Sequence, residues 1–385
     1  MSYSGKSLTS GIRFSWMEFS GSLGDLGLFL PLVVAMTIAC DLNIGVILIL
    51  AGLMNVCTGF LFRQPIPVQP MKAIAAVVIT EGLVQDELIA AGLLMGVILL
   101  LCSGIVDKIN RYVPKPIVWG IQLGIGIKLA LKGVEWVSGL TIIGWDSIIC
   151  AVIVVGVLLL LANRKQPTLL YIFLFGFVIL YLKQPDVFSS VSLSGPNFFW
   201  HWPSQTAWSG GLLKGALPQL PLTLLNSVVA LCALSSKYFP GRGVQPRKIT
   251  ASIGLMNLFC VPLGGIPMCH GSGGLAAQHR FGARTGGSVI LLGALKIIIG
   301  FLFGGALLEL LQSYPMAILG PMLIFAGVEL ARPSKDVLSD KKGLTVAIIT
   351  AIFILGINTL AGFLAGSSVS IAYLVYNRGG KGHGS

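Results

Sequence analysis

Two stretches of the chain interrupt otherwise continuous hydrophobic sequence in the same way: Pro65-Ile-Pro-Val-Gln-Pro-Met-Lys72 and Gly265-Ile-Pro-Met-Cys-His-Gly-Ser-Gly-Gly274. Each passes through Ile-Pro before a short helical run, and each follows the tetrapeptide Gly-Leu-Met-Asn, at 52–55 and at 254–257. Breaks that recur at matching places in the two halves of an apolar chain are typical of secondary transporters, whose site lies where broken helices meet. We therefore expect a substrate to bind between these two stretches.

The composition is that of a polytopic membrane protein. Of 385 residues, 55% are hydrophobic and only 10% are charged, and the mean hydropathy is +0.88, far outside the range of soluble domains. The lipid bilayer is therefore the expected environment. The net charge of +12 does not predict a nucleic-acid partner, because basic residues alternate with long apolar runs and no basic face with interleaved aromatic residues exists.

No metal, cofactor or enzymatic activity is predicted. The seven cysteines form no Cys-x-x-Cys pair and lie mostly within apolar runs, as small buried residues do. Cys269, His270 and His279 have no carboxylate at metal-ligand spacing. The chain also has no HExxH motif and no paired nucleophile and base.

Hydrophobic runs, divided by glycine, proline and charge, predict an all-α protein with fourteen transmembrane segments. The segment centres lie near residues 28, 52, 73, 97, 123, 153, 174, 224, 254, 273, 298, 322, 350 and 367. Segments 3 and 10 are the interrupted pair. We expect each to be a short half-helix preceded by an extended strand, because Pro67 and Pro267 hold the preceding residues extended.

The segments divide into two repeats. The region 183–209, rich in Pro, Ser and Trp, is interpreted as a linker between a first repeat at 1–182 and a second at 210–378, with a tail at 379–385. Seven is an odd number, so the second repeat must enter the membrane from the opposite side, and the repeats are inverted. Segment 1 resembles segment 8 in sequence, which places Asp25 opposite Gln219.

Charge provides an independent check on this topology. With a cytoplasmic amino terminus, the inner loops and tails collect most lysines and arginines, and the outer side keeps only Lys132 and Lys183. This positive-inside distribution predicts that both termini are cytoplasmic. The polar first fourteen residues show no apolar run with a cleavage site, so we expect them to be retained, and we expect a plasma (inner) membrane location.

The interrupted segments predict an anion site. The run Met71 to Thr80 makes about 15 Å of helix, half of a ~30 Å hydrocarbon core, and its partner from Gly271 to Gln278 is equally short. The inverted topology makes their amino termini face each other near the middle of the membrane. Free N–H groups and positive dipole ends then converge on one point.

Side chains near this point supply the candidate contacts. Lys72 is costly in the middle of a membrane and is a functional candidate, although it could instead reach the surface or pair with Asp25. His270 could bind substrate, carry a proton or bond a backbone carbonyl. The predicted substrate-binding set is Gln69, Pro70, Met71, Lys72, His270, Gly271, Ser272 and Gly273, with Asp25 and Gln219 from segments 1 and 8.

Proton coupling has three candidates: Asp25, Glu18 and His270. Asp25 lies in Gly24-Asp-Leu-Gly27 beside an expected helix break, whereas Glu18 could equally lie near the inner interface in a structural role. Four other charged residues fall near predicted segment ends and are interpreted as interface residues: Lys128, Lys214, Lys296 and Glu329.

The motifs resemble those of a known family. The runs 65–76 (Pro-Ile-Pro-Val-Gln-Pro-Met-Lys-Ala-Ile-Ala-Ala) and 267–284 (Pro-Met-Cys-His-Gly-Ser-Gly-Gly-Leu-Ala-Ala-Gln-His-Arg-Phe-Gly-Ala-Arg) closely resemble the two signature motifs of the plant and microbial molybdate transporter family, a branch of the sulfate permease superfamily. The likeness extends to Gly24-Asp-Leu-Gly27 and covers essentially the whole chain.

The resemblance implies a fold of seven plus seven inverted repeats and secondary active import of molybdate. Segments 1–4 and 8–11 would form a substrate-carrying core, and segments 5–7 and 12–14 a gate domain through which the chain forms a homodimer. Sulfate and tungstate are rival oxyanions, and a coupling proton is compatible with the acids of segment 1. Nucleobase transport and a passive anion channel remain alternatives; nucleobase transporters usually present an acid from segment 8, where this chain has Gln219 and Asn226.

Overall fold

The computed structural model describes residues 11–109, 114–161, 167–189, 195–305 and 307–379. Each of the fourteen predicted centres lies within a helix. These helices are α1 Trp16–Cys40, α2 Ile44–Phe62, α3 Lys72–Glu81, α4 Gln85–Cys102, α5 Lys115–Ser138, α6 Ile148–Leu161, α7 Thr168–Lys183, α8 Ala207–Tyr238, α9 Pro246–Cys260, α10 Ser272–Arg280, α11 Gly287–Phe303, α12 Met316–Ala331, α13 Lys341–Gly356 and α14 Thr359–Gly379.

Shorter elements join these helices. The described residues include short helical stretches at Val106–Ile109, Asp186–Ser189, Val261–Leu263, Leu307–Gln312 and Arg332–Ser339, and two strands, β1 Gln69–Pro70 and β2 Met268–Cys269. Among the described residues, six helices are by length and composition able to cross a membrane: α1, α2, α4, α5, α8 and the stretch Met316–Asp336 that begins with α12. The predicted all-α membrane fold is confirmed.

The two interrupted segments form the predicted half-helices. Strands β1 and β2 precede α3 and α10 and pair with each other antiparallel, with Gln69 opposite Cys269 and Pro70 opposite Met268. The Met71 N–H donates to the Pro267 carbonyl at 2.8 Å and extends the pairing. Extended backbone in the protein interior needs partners for its polar groups, and here each repeat supplies the partner of the other.

The repeated Gly-Leu-Met-Asn tetrapeptide places a buried asparagine at the same point of each repeat. Asn257 clamps β2, because its Nδ2 donates to the Met268 carbonyl at 2.7 Å and its Oδ1 accepts the Met268 N–H at 2.9 Å. Asn55 accepts instead from the Lys296 ammonium group at 3.1 Å. The same residue therefore supports backbone in one repeat and a charge in the other.

Helix α8 is a single element with two widened π-helical stretches, Gly211–Ala216 and Thr223–Ala230. Between them lie Pro218 and Pro221, which lack an N–H and crowd the carbonyl one turn earlier. The helix accommodates them by shifting its hydrogen-bond pattern, and such π turns are frequent at functional sites. Gln219 and Asn226 both come from this helix.

Glycines bring pairs of helices into backbone contact. Gly45, Gly52 and Gly59 of α2 are seven residues apart, as are Gly286, Gly293 and Gly300 along α11. A Cβ on Gly52 would lie 2.6 Å from the Gly293 carbonyl oxygen, and similar approaches occur along the pair. Helices α5 and α12 approach each other in the same way, so small residues fix both pairs, as is usual between membrane helices.

Apolar side chains cover the outside of the molecule. On α6, for example, Val152, Ile153, Leu159 and Leu160 are all exposed. A soluble protein rarely exposes apolar surface on this scale, and this helix face suits contact with lipid chains.

Candidate anion site

A cavity of about 530 Å³ extends along α10 from its first residue to its last. Lys72, Asn226, Ser272 and Gly273 line it beside the amino termini of the half-helices. Near the carboxyl end of α10 it is lined by charged residues, namely Arg280, Glu329 and Arg332. Three of the four charged side chains that line the described cavity are therefore basic, which suits an anion.

Lys72 begins α3 and faces the cavity. Within the described residues its ammonium group has no hydrogen bond or ion pair, so the alternative in which it pairs with Asp25 is not seen. A lysine inside a membrane protein normally pairs with another group or marks a substrate path. Lys72 is therefore available to a bound anion.

The start of α10 supplies uncharged donors. Its N-cap residue is Gly271, which has no side chain to bond the first-turn N–H groups. The Ser272 hydroxyl donates to Asn226 Oδ1 at 2.7 Å, and both residues line the cavity. This helix end thus presents backbone N–H groups, a hydroxyl and an amide to the same space.

The start of α3, by contrast, is already occupied. Gln219 Oε1 accepts the N–H groups of Ala73 at 2.7 Å and Ile74 at 3.3 Å, while its Nε2 donates to Thr223 at 2.8 Å. Gln219 is buried and does not line the cavity. Both helix ends were expected to offer free N–H groups, but at α3 two of these groups are bonded to Gln219, and its lysine is what faces the cavity.

Asp25 and Gln69 form a buried pair behind the cavity. Gln69 Nε2 donates to Asp25 Oδ1 at 2.6 Å, and neither Asp25 Oδ2 nor Gln69 Oε1 has a hydrogen-bond partner among the described residues. Gly274 lies directly against this pair, since a Cβ there would be 2.6 Å from Asp25 Oδ1. The expected helix break at Asp25 is wrong, because α1 continues from Trp16 to Cys40.

Three other predicted site residues lie in the scaffold around the site. His270 is buried, with Nδ1 at 2.9 Å from the Pro67 carbonyl oxygen and Nε2 at 3.0 Å from Ser252 Oγ. Both ring nitrogens are thus taken by protein groups, which fits the backbone-bonding alternative for this residue. Pro70 lies in β1 and Met71 is the buried N-cap of α3.

Glu18 fastens α1 to the segment before α11. Its two carboxylate oxygens accept the backbone N–H groups of Arg284 and Thr285, at distances from 3.0 to 3.3 Å, and its side chain is buried. These four hydrogen bonds all come from backbone N–H groups. This geometry matches the structural role considered for Glu18.

Lys296 was expected at the membrane interface, and that expectation is wrong. It is only 2% exposed, and its Nζ lies 3.1 Å from Asn55 Oδ1 and 3.5 Å from the centroid of the Phe29 ring. It also interacts electrostatically with Asp25. Its position inside the apolar run 287–303, well away from both ends, is the sequence signal that locates it.

The fold defines a class of protein, a helical membrane protein of two inverted repeats, in which a cavity lies beside the two half-helices. Solved structures with this fold include the transmembrane domain of a cyanobacterium bicarbonate transporter, BicA (TM-score 0.65, 14% identity, 90% of this chain and 96% of that one). Murine Solute Carrier 26 family member A9, an anion transporter in the inward-facing state, is similar as well (TM-score 0.68, 14% identity, 95% and 69%).

Sequence comparison gives the family. A family model described as "Molybdate transporter of MFS superfamily" matches residues 17–129 and 211–330. Molybdate transporter 1 of Arabidopsis thaliana is 34% identical over 95% of this chain and 90% of its own length, and Molybdate transporter 1 of Chlamydomonas reinhardtii is 32% identical over 92% and 90%. The chain belongs to the molybdate transporter family, as its motifs suggested.

Proposed function

We propose that this protein imports molybdate by secondary active transport and binds the dianion at the Lys72 end of the cavity. The family membership supports the substrate. The observation that carries the site is Lys72, which has no hydrogen bond or ion pair in the part of the chain that the structure describes, beside the open amino terminus of α10. Ser272, Gly273 and Asn226 complete the proposed contacts. His270 and Gln219 are assigned to holding the half-helices in place.

The charge of this site suits a dianion that must lose its hydration shell. Lys72 contributes a full positive charge, and the end of a helix contributes about half a charge. The Asn226 amide and the backbone N–H groups of α10 replace water as donors to the oxyanion. The Ser272 hydroxyl donates to Asn226 Oδ1 and so orients that amide. Sulfate and tungstate have the same tetrahedral shape and charge as molybdate. The selectivity of the site is therefore measured by competition between the three oxyanions.

Transport further requires the site to change the side on which it opens. We assign α1–α4 and α8–α11 to a core and α5–α7 and α12–α14 to a gate domain, in accord with the cavity, which is lined by helices of both groups. Displacement of the core against the gate would alternate access. In this assignment both termini are cytoplasmic, the cavity mouth at Arg280 faces the cytoplasm of the inner membrane, and the gate forms the homodimer contact.

Asp25 is the proposed carrier of a coupling proton. Its Oδ2 and the neighbouring Gln69 Oε1 are buried acceptors to which no described residue donates, an unfavourable arrangement. A proton bound to the Asp25 carboxylate supplies a hydrogen-bond donor next to Gln69 Oε1. Lys72 and Lys296 are the cations that interact with this carboxyl group, so its charge is coupled to that of the anion site.

Uptake of labelled molybdate into proteoliposomes tests the function. We expect saturable uptake of molybdate, with measurable competition by tungstate and by sulfate. The uptake rate should fall at least tenfold in Lys72→Ala and be partly retained in Lys72→Arg. Lys214→Ala is the matched control, since Lys214 is half exposed and pairs with Glu87 outside the cavity. Absence of saturable uptake, or full activity of Lys72→Ala, contradicts the proposal.

A further inference from the structure

An ion pair ties the end of half-helix α3 to the proposed gate. Glu81 Oε1 accepts from Lys128 Nζ of α5 at 2.7 Å, and from the Thr359 backbone N–H and hydroxyl of α14 at 2.9 and 2.5 Å. The Glu81 and Lys128 side chains are only 13% and 16% exposed. Helix α3 also packs directly against α5 on this side, so the molecule is closed here. We call Glu81 and Lys128 the closed-side pair.

The second repeat carries the same two positions with the charges exchanged. Half-helix α10 ends at Arg280, as α3 ends at Glu81. On the gate helices, Gly126 of α5 contacts Gly327 of α12, and the charged residue follows two positions later in each, Lys128 in α5 and Glu329 in α12. In the first repeat the acidic residue therefore lies on the core and the basic residue on the gate. In the second repeat the basic residue lies on the core and the acidic residue on the gate.

In the second repeat the cavity separates these two positions. Arg280 and Glu329 both line it, one from α10 and the other from α12. Glu329 meanwhile pairs with Arg332 on its own side at 2.9 Å. The Arg332 side chain is 61% exposed, and an exposed pair of this kind contributes little to stability. Glu329 can exchange this partner at small cost. We call Arg280 and Glu329 the cavity-side pair.

We propose that these four residues position the core against the gate during transport, with the closed-side pair and the cavity-side pair forming in alternation. When the cavity closes, Arg280 meets Glu329 and Glu81 releases Lys128. Each state then contains one of these two pairs, so the exchange of one pair for the other keeps the two states close in free energy and a bound substrate can shift the balance. The inference rests on the core–gate displacement proposed above.

Charge exchange tests the two pairs in the intact transporter. We expect Glu81→Lys to lower the maximal uptake rate at least tenfold with molybdate affinity changed less than twofold, and Glu81→Lys with Lys128→Glu to recover more than half of the rate. Lys132→Glu, on the same helix in an exposed pair with Glu135, should leave the rate unchanged. The same recovery is expected for Arg280→Glu with Glu329→Arg, a pair that is not in contact here.

Thiol crosslinking tests the alternation separately from molybdate uptake. In proteoliposomes treated with a bifunctional thiol reagent as long as the two replaced side chains, Arg280→Cys with Glu329→Cys should yield a linked peptide by mass spectrometry, and so should Glu81→Cys with Lys128→Cys. The seven native cysteines make unsubstituted protein the control. No link between positions 280 and 329, or no recovery in either exchanged double variant, overturns the inference. Linked peptides in a protein that takes up no molybdate would instead contradict the proposed substrate alone.

Discussion

Two lysines show how differently the same side chain is used within one fold. Lys72 lines the cavity and has no hydrogen bond or ion pair among the described residues, whereas Lys296 is buried against Asn55 and the Phe29 ring. A lysine enclosed in protein requires hydrogen bonds and an electron-rich neighbour to offset its lost hydration. We therefore assign the first lysine to the proposed site and the second to the framework around it.

Removing the partner of Lys296 should destabilise the protein. Asn55→Leu leaves the buried ammonium group without its amide, at a cost of about 1–3 kcal/mol, and should lower the thermal unfolding midpoint in detergent. Adding Lys296→Met should restore most of the lost stability, because both polar partners are then replaced by apolar groups. A double variant no more stable than Asn55→Leu would show that the contact with Asn55 does not support the lysine.

These residues also show the reach of sequence reasoning. Lys72 could be placed because it follows a proline break in an apolar run. Lys296 was assigned to an interface because the segment bounds were imprecise, and a shift of a few residues separates a helix end from its middle. The pairing of Gln69 with Asp25, and of Gln219 with the start of α3, depends on contacts between distant segments, which a single sequence does not contain.

At the scale of elements, the half-helices and their strands were predictable because proline and glycine mark their limits. The π turns of α8 were missed, although Pro218 and Pro221 in mid-segment were a usable signal. The seven-residue spacing of glycines in α2 and α11 was equally visible in the sequence. Which helices those glycines join is a matter of tertiary packing.

The α2–α11 contact should be intolerant of side chains. In Gly52→Val, the added atoms would meet the Gly293 carbonyl oxygen and Ile297, whose nearest atoms lie 2.6 and 2.8 Å from a Cβ at this position. Overpacking of this kind costs about 1–3 kcal/mol. Gly156→Val in α6 is the control, because nothing lies within 4 Å of a Cβ there. Equal melting temperatures of the two variants in detergent would contradict this packing.

The amide at the start of α3 should control affinity for the anion. In Gln219→Glu the carboxylate can still accept the N–H groups of Ala73 and Ile74, so the helix remains capped. Its negative charge beside Lys72 should weaken molybdate binding at least tenfold, which isothermal titration of the purified protein can measure. Gln219→Met, which removes the cap without adding charge, separates the two effects. Unchanged affinity in Gln219→Glu would place the anion elsewhere.

At the scale of the whole molecule, two inverted repeats with unequal side chains meet around one cavity. The inverted fold followed from an odd number of segments and from the charge distribution of the loops. The side on which the cavity opens could not be predicted from the sequence, because one sequence forms both states of a transporter. Among the described residues, α3 packs against α5, whereas Arg280 of α10 and Glu329 of α12 both line the cavity.

A proton gradient should drive uptake through Asp25. With the outside more acidic than the lumen, uptake of molybdate into proteoliposomes should exceed uptake at equal pH. Asp25→Asn should retain exchange of labelled for unlabelled molybdate but lose the stimulation by the gradient, since an amide cannot release a proton. A wild-type rate that does not respond to the gradient would exclude proton coupling, and a stimulated Asp25→Asn would assign the proton to another group.

The pairing of β1 with β2 has a consequence for biosynthesis. A ribosome releases Gln69 and Pro70 long before Met268 and Cys269 exist, so the first repeat must wait in the bilayer with unmatched peptide groups. Such groups are poorly tolerated in lipid. The nascent first half therefore needs shelter, from the insertion machinery or from water held at the break, until the second half arrives to complete it.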